Sequence, residues 1–153
     1  MMNQANVQEI LRFAITIEEE GVTFYNKYSE LAKGDMKKLL LTLASDEKAH
    51  AEVFQQMLDE LDTSVDDYLF QEEVDSYFRF YANHVAFNRR KEKLTSIIEV
   101  LKVAIETEKI TTEFYRGLIP KTSDDKVLAI LNRLVDEETK HQHVLEDYLK
   151  TVM

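Results

Sequence analysis

The chain contains no cysteine, a single proline and only three glycines. Without cysteine there are no disulfides, no thiolate metal ligands and no thiol catalysis. So few backbone breakers leave little room for the many tight turns of an all-β fold, and long helices joined by few loops are the natural reading. No uninterrupted apolar stretch approaches the roughly 20 residues of a membrane-spanning helix. The opening "MMNQANVQEILRFAITIEEE" lacks the basic start and apolar run of a signal peptide, and glutamate comes early. A soluble, cytoplasmic protein is therefore expected. Positive charge is also in deficit: the formal net charge is -10, which argues against a nucleic-acid partner or an anionic membrane surface.

What is present is apolar periodicity over 153 residues, enough for one domain with a real core. Val7, Ile10, Leu11, Ala14, Ile17, Gly21, Phe24, Tyr28 and Leu31 follow the three-and-four spacing of a helix with one buried face. Gly34 suits the end of that helix, and Asp35 can cap the next. A second helix is expected from about Met36 to Leu61, a third from about Leu94 to Ile119 before Pro120, and a fourth from "TSDD" to about Leu149. The aromatic stretch from Tyr68 to Arg90 reads as a shorter connecting helix. The fold class is thus all-α: an antiparallel four-helix bundle in a single domain, with hairpins over about 5–61 and 94–151 and a long crossover over about 62–93.

An internal repeat supports the two-hairpin reading. "AITIEEEGVTFY" lies over "AIETEKITTEFY" without a gap, pairing Glu18 with Glu108 and Tyr25 with Tyr115. "LASDEKAHAEVFQQML" lies over "LVDEETKHQHVLEDYL", pairing Glu47 with Glu138 and His50 with His141, at an offset one residue larger. Each hairpin then offers a glutamate on its first helix and a Glu-x-x-His on its second. Residues i and i+3 sit about 60° apart around a helix, so Glu47 and His50 share a side, as do Glu138 and His141. Flanking Leu43, Val53, Phe54, Leu134 and Val144 place these pairs toward the apolar side.

Glu18 and Glu47 stand about 15 and about 13 residues from the turn near Gly34, so an antiparallel pair brings them nearly level. Glu108 and Glu138 are likewise about 14 and about 16 residues from the turn near Thr122. Four carboxylates and two imidazoles would meet at one level of the core. Four buried carboxylates would be costly without compensation, and two divalent cations would balance them. The oxygen-rich, two-nitrogen set suits iron or manganese.

On Glu18, "EKAH" (47–50), Glu108, "ETKH" (138–141) and the paired "FY" (24–25 and 114–115), the chain resembles the ferritin-like di-iron carboxylate superfamily, and within it the rubrerythrin family. The resemblance implies that Glu47 and Glu138 bridge two irons, with manganese as the other option. It implies Glu18 and Glu108 as terminal carboxylates and His50 and His141 as terminal nitrogen ligands. Tyr25 and Tyr115 would hydrogen-bond a ligand carboxylate. The implied activity is oxidoreduction with O₂ or hydrogen peroxide in oxidative-stress defence, fed by an external electron donor protein. Two other readings stay open: an iron-binding, ferroxidase or storage protein, and a helical scaffold with a degenerate site.

The chain departs from the family pattern in three ways. It cannot form a four-cysteine iron site. The positions that share a face with Glu108 are Ala104, Ile105, Thr111 and Thr112, so no additional glutamate stands there. The crossover is also long. The aromatic run 77–87 is read as packing on the bundle or on a second copy, which makes a homodimer an expectation. His84 reads as structural or exposed. Glu137 and His143, beside the ligand positions, are about 100° and about 200° round the helix from Glu138 and His141 respectively, and are expected to face elsewhere.

Overall fold

A computed structural model of the chain describes residues 4–60, 68–70, 93–121 and 125–153. Four helices carry the architecture: α1 (Val7–Ser29), α2 (Gly34–Glu60), α3 (Ile97–Leu118) and α4 (Asp125–Val152). α1 packs on α2 and α3 on α4, so the repeat read from the sequence is a repeat of helical hairpins. No helix among the described residues is long and apolar enough to cross a membrane.

The ends of the helices follow local chemistry. Leu31 and Ala32 donate to the carbonyls of Tyr28 and Ser29 as α1 closes. Gly34 opens α2 rather than ending α1, and its φ of 58 is the left-handed backbone that glycine adopts without a Cβ penalty. α3 starts at Ile97, later than expected, because Ser96 caps it by accepting from the Glu99 N–H at 3.2 Å. Glu99 in turn accepts from the Thr95 N–H at 3.4 Å. α3 stops at Leu118, and Ile119–Lys121, which includes Pro120, tightens into a 3-10 turn.

One short ribbon was not foreseen. Strand β1 (Gln4–Asn6) pairs antiparallel with β2 (Tyr68–Phe70), with Gln4 opposite Phe70. Tyr68–Phe70 are therefore extended, where the aromatic spacing predicts the start of a connecting helix. The remainder of that expected helix, His84 and the run 77–87 lie outside the described residues, as do the side chains of Val7 and Ile10. Leu31, counted on the apolar face, is exposed, because it lies in the turn after α1.

The core consists of two apolar blocks. One gathers Leu11, Ala14, Ile17, Phe54, Ile110, Phe114, Leu131 and Leu134. The other gathers Phe24, Tyr28, Leu40, Leu43, Leu101, Ala104, Ile105 and Leu145. The N-terminal half of α1 thus shares a block with the C-terminal halves of α2 and α3 and the N-terminal half of α4. α1 and α3 therefore run in opposite senses, and α2 ends beside one block while α3 begins beside the other. Leu94 is held at that second end by its N–H, which donates to the Tyr28 hydroxyl at 3.2 Å. Between the two blocks every helix places a polar residue inward. That layer is the site.

Candidate metal centre

Glu18 on α1, Glu47 and His50 on α2, Glu108 on α3, and Glu138 and His141 on α4 all come together in the layer between the apolar blocks. Glu18 and Glu138 are fully buried, and His141, the most accessible of the six, is 9% exposed. Their donor atoms form two groups: Glu18, Glu47, His50 and Glu138, and Glu47, Glu108, Glu138 and His141. Within each group the atoms lie within 4.8 Å of one another, and Glu47 and Glu138 belong to both. The histidine rings are nearly parallel, with centroids 6.0 Å apart.

Both imidazoles turn Nδ1 inward. His50 Nδ1 lies 2.9 Å from Glu138 Oε1 and 3.6 Å from Glu18 Oε2. His141 Nδ1 lies 3.4 Å from Glu47 Oε1 and 3.6 Å from Glu138 Oε2. Close as they are, these atoms lack the alignment of hydrogen bonds. Glu18 Oε2, Glu47 Oε1, both Glu138 oxygens and both Nδ1 atoms are buried without a hydrogen-bond partner. Unpaired buried polar atoms cost about 1–3 kcal/mol each, so a convergent set of them is a strong sign of a missing charge partner. Six donors of oxygen and nitrogen type, carrying four carboxylates, fit a pair of divalent cations.

The electrostatics without metal agree. Burial pushes Glu47 up to about 7, with repulsion from Glu18 adding to it. Burial, then the charges of Glu108 and Glu47, holds Glu138 well above the usual carboxyl range. Glu108 is raised by burial and by Glu47. Burial opposes charge on the histidines, but Glu138 and Glu18 outweigh it at His50 and push it up to about 11. Glu47 and Glu108 do the same at His141, to about 9. Uncompensated by cations, the cluster would hold protons more tightly than free side chains do.

The tyrosines cross between hairpins. The Tyr25 hydroxyl donates to Glu108 Oε1 at 2.6 Å, and the Tyr115 hydroxyl donates to Glu18 Oε1 at 2.7 Å. Each stands about two turns beyond the glutamate of its own helix and serves the glutamate of the other. Burial, reinforced by Glu18, raises Tyr115 far above the ordinary phenol range, so it remains a donor.

The structure corrects the sequence reading of Glu137. This residue does not face elsewhere: its carboxylate accepts from His50 Nε2 across the bundle. Asp46, its counterpart in the repeat, accepts from His141 Nε2 at 3.1 Å. Each imidazole is therefore backed by a carboxylate from the opposite hairpin, which fixes its tautomer and leaves Nδ1 for the centre. Burial would raise Glu137, but Arg133 and His50 hold it below the ordinary carboxylate range. The pairing of Asp46 with Glu137 in the repeat was the available signal. His143 is exposed, as its angle predicts. Val144, counted toward the apolar side, is instead exposed, at 38%.

A cavity of about 370 Å³ opens onto the histidine edge of the centre and is lined by Asp46, His50, Arg133, Glu137, Lys140 and His141. A Cβ added at Gly21 would come 3.2 Å from Glu47 Cγ, so glycine leaves the room that Glu47 occupies. Thr111, its counterpart on α3, and Thr112, both counted on the face of Glu108, are buried.

Comparison with known proteins agrees with this geometry. The family model described as Rubrerythrin matches residues 9–149. A crystal structure from Thermotoga maritima, described as a ferritin-like diiron-carboxylate protein, is similar over 100% of both chains, with 30% sequence identity and a TM-score of 0.77. No curated protein matches the chain.

Proposed function

The chain belongs to the rubrerythrin family, and from that premise we propose that it holds two iron ions in the layer between its apolar blocks and uses them to reduce O₂ or hydrogen peroxide. The observation that carries this reading is the pair of donor groups sharing Glu47 and Glu138, with their inward atoms buried and unpaired. Manganese fits the same donors, and metal analysis of the purified chain distinguishes the two.

In this reading Glu47 and Glu138, which belong to both donor groups, would help hold both ions. Glu18 and His50 complete one half, and Glu108 and His141 the other. What the bound pair supplies is electrons, one from each ion, for a two-electron reduction. The remaining work belongs to the protein. Tyr25 and Tyr115 hold one oxygen each of Glu108 and Glu18, which orients the other oxygen toward the centre. Asp46 and Glu137 keep Nε2 protonated and Nδ1 available. The apolar blocks keep water from both ends of the layer, so small molecules reach it along the histidine edge, through the cavity. Converting one hydrogen peroxide to two waters consumes two electrons and two protons; the protons reach the centre from solvent by this edge. Having no cysteine for a second iron site of thiolate type, the chain takes its electrons from an external donor protein.

The test is anaerobic reconstitution with ferrous iron followed by a stoichiometric addition of peroxide. Rapid oxidation of both ions per peroxide, followed by absorbance, is the expected result. Iron that binds but does not react sinks the redox role, and a chain that takes up no metal sinks the whole reading.

A further inference from the structure

We propose that the two halves of the metal centre are unequal, and that Arg133 is the positioning residue that makes them so. The inference rests on the two-metal reading above. The repeat gives each imidazole the same kind of outer partner, Glu137 for His50 and Asp46 for His141, but it does not give those partners the same surroundings. Arg133, one turn back on α4, donates through Nε to Glu137 Oε1 at 3.0 Å. Its counterpart in the repeat on α2 is Thr42, which brings no charge. Among the described residues, Asp46 meets only the imidazole of His141. Lys140 lines the same cavity but is paired with Asp136 at 3.0 Å.

The consequence follows from ordinary electrostatics. A carboxylate accepting from an imidazole N–H raises the basicity of the other ring nitrogen. A guanidinium on that carboxylate withdraws part of the effect and adds a positive charge near the cation to be bound. Without metal, the inward carboxylates hold a proton on His50 more firmly than on His141. With those carboxylates committed to the ions, the outer partners set the difference, and His50 is the poorer donor and His141 the better one. The half built from Glu47, Glu108, Glu138 and His141 fills first with a divalent ion, and the half with Glu18 and His50 fills second. Arg133 is 56% exposed, so water and salt soften its influence. Changes to such outer partners shift metal affinity by about 10–100-fold, and a screened partner one step further out belongs at or below the low end.

The test uses the full chain freed of metal and titrated with Mn²⁺, the free ion being followed by its EPR signal. Two ions bind per chain in two steps. Arg133→Gln tightens the second step by roughly three- to tenfold and leaves the first unchanged, while Arg133→Lys, which keeps the charge, retains the original constants. Asp46→Asn weakens the first step and Glu137→Gln the second, each by about tenfold or more. An unchanged second step in Arg133→Gln overturns the inference but leaves two-metal binding standing. So does a reversal of the steps on which Asp46→Asn and Glu137→Gln act. A chain that binds no Mn²⁺ overturns both.

Discussion

At the scale of single residues the site depends on small spaces and single hydrogen bonds. Gly21 sits within a helix, where alanine would be better by about 1 kcal/mol on propensity alone. A Cβ there would press on Glu47 at 3.2 Å. Gly21→Ala should therefore leave the metal-free chain as stable as before, or more so, yet weaken metal binding by about tenfold, the scale for disturbing a ligand's setting. Thermal unfolding and a metal titration on the same sample separate the two effects. Tyr25→Phe removes the donor to a buried Glu108 oxygen and should cost about 1–3 kcal/mol in denaturant unfolding. Tyr115→Phe should do the same through Glu18. If either phenylalanine variant matched the parent in both stability and metal affinity, the tyrosines would be no more than core aromatics.

At the scale of elements, the hairpins were legible because apolar spacing and the repeat are properties of one helix at a time. Glu18, Glu47, His50, Glu108, Glu138 and His141 could be picked out for the same reason: their register along each helix sets their height in the bundle. Helix ends were less legible, since they depend on backbone conformation and on which side chain captures a free N–H. Gly34 is the clearest case, opening α2 with a φ of 58. Gly34→Ala should cost about 1–2 kcal/mol, and Gly34→Asn less, because asparagine tolerates the left-handed region. Equal melting temperatures for the two variants would remove the backbone argument. The β1–β2 ribbon was missed because three-residue strands carry no periodicity to read, and pairing Gln4 with Phe70 is a long-range event.

At the scale of the whole molecule, the acid layer couples folding to protons and to metal. Glu47 is raised from 4.5 to about 7, so it binds its proton more tightly when folded; that contribution is present at low pH and is lost as pH rises through about 7. His50 and His141, raised from 6.5 to about 11 and about 9, contribute fully below 6.5 and lose this as pH rises through those values. All three act in one direction, so the metal-free chain should melt at progressively lower temperature from about pH 5 to about pH 9. Each kcal/mol lost lowers the melting temperature by roughly 2–4 °C at this length. Metal should flatten that slope, and its binding at neutral pH should release protons, visible as a buffer-dependent heat in calorimetry. A metal-free chain that gained stability toward alkaline pH would contradict this account of the layer. The sequence by itself determined four helices in two like hairpins, and the six inward donors, because a helix's own periodicity and register govern both. Only the tertiary structure decided which residues support those donors. Tyr25 serves Glu108, Tyr115 serves Glu18, Asp46 backs His141, and Glu137, paired with Arg133, backs His50. Angles around one helix placed Glu137 off the site, but a neighbouring helix closes that angle, and only packing determines which neighbour lies there.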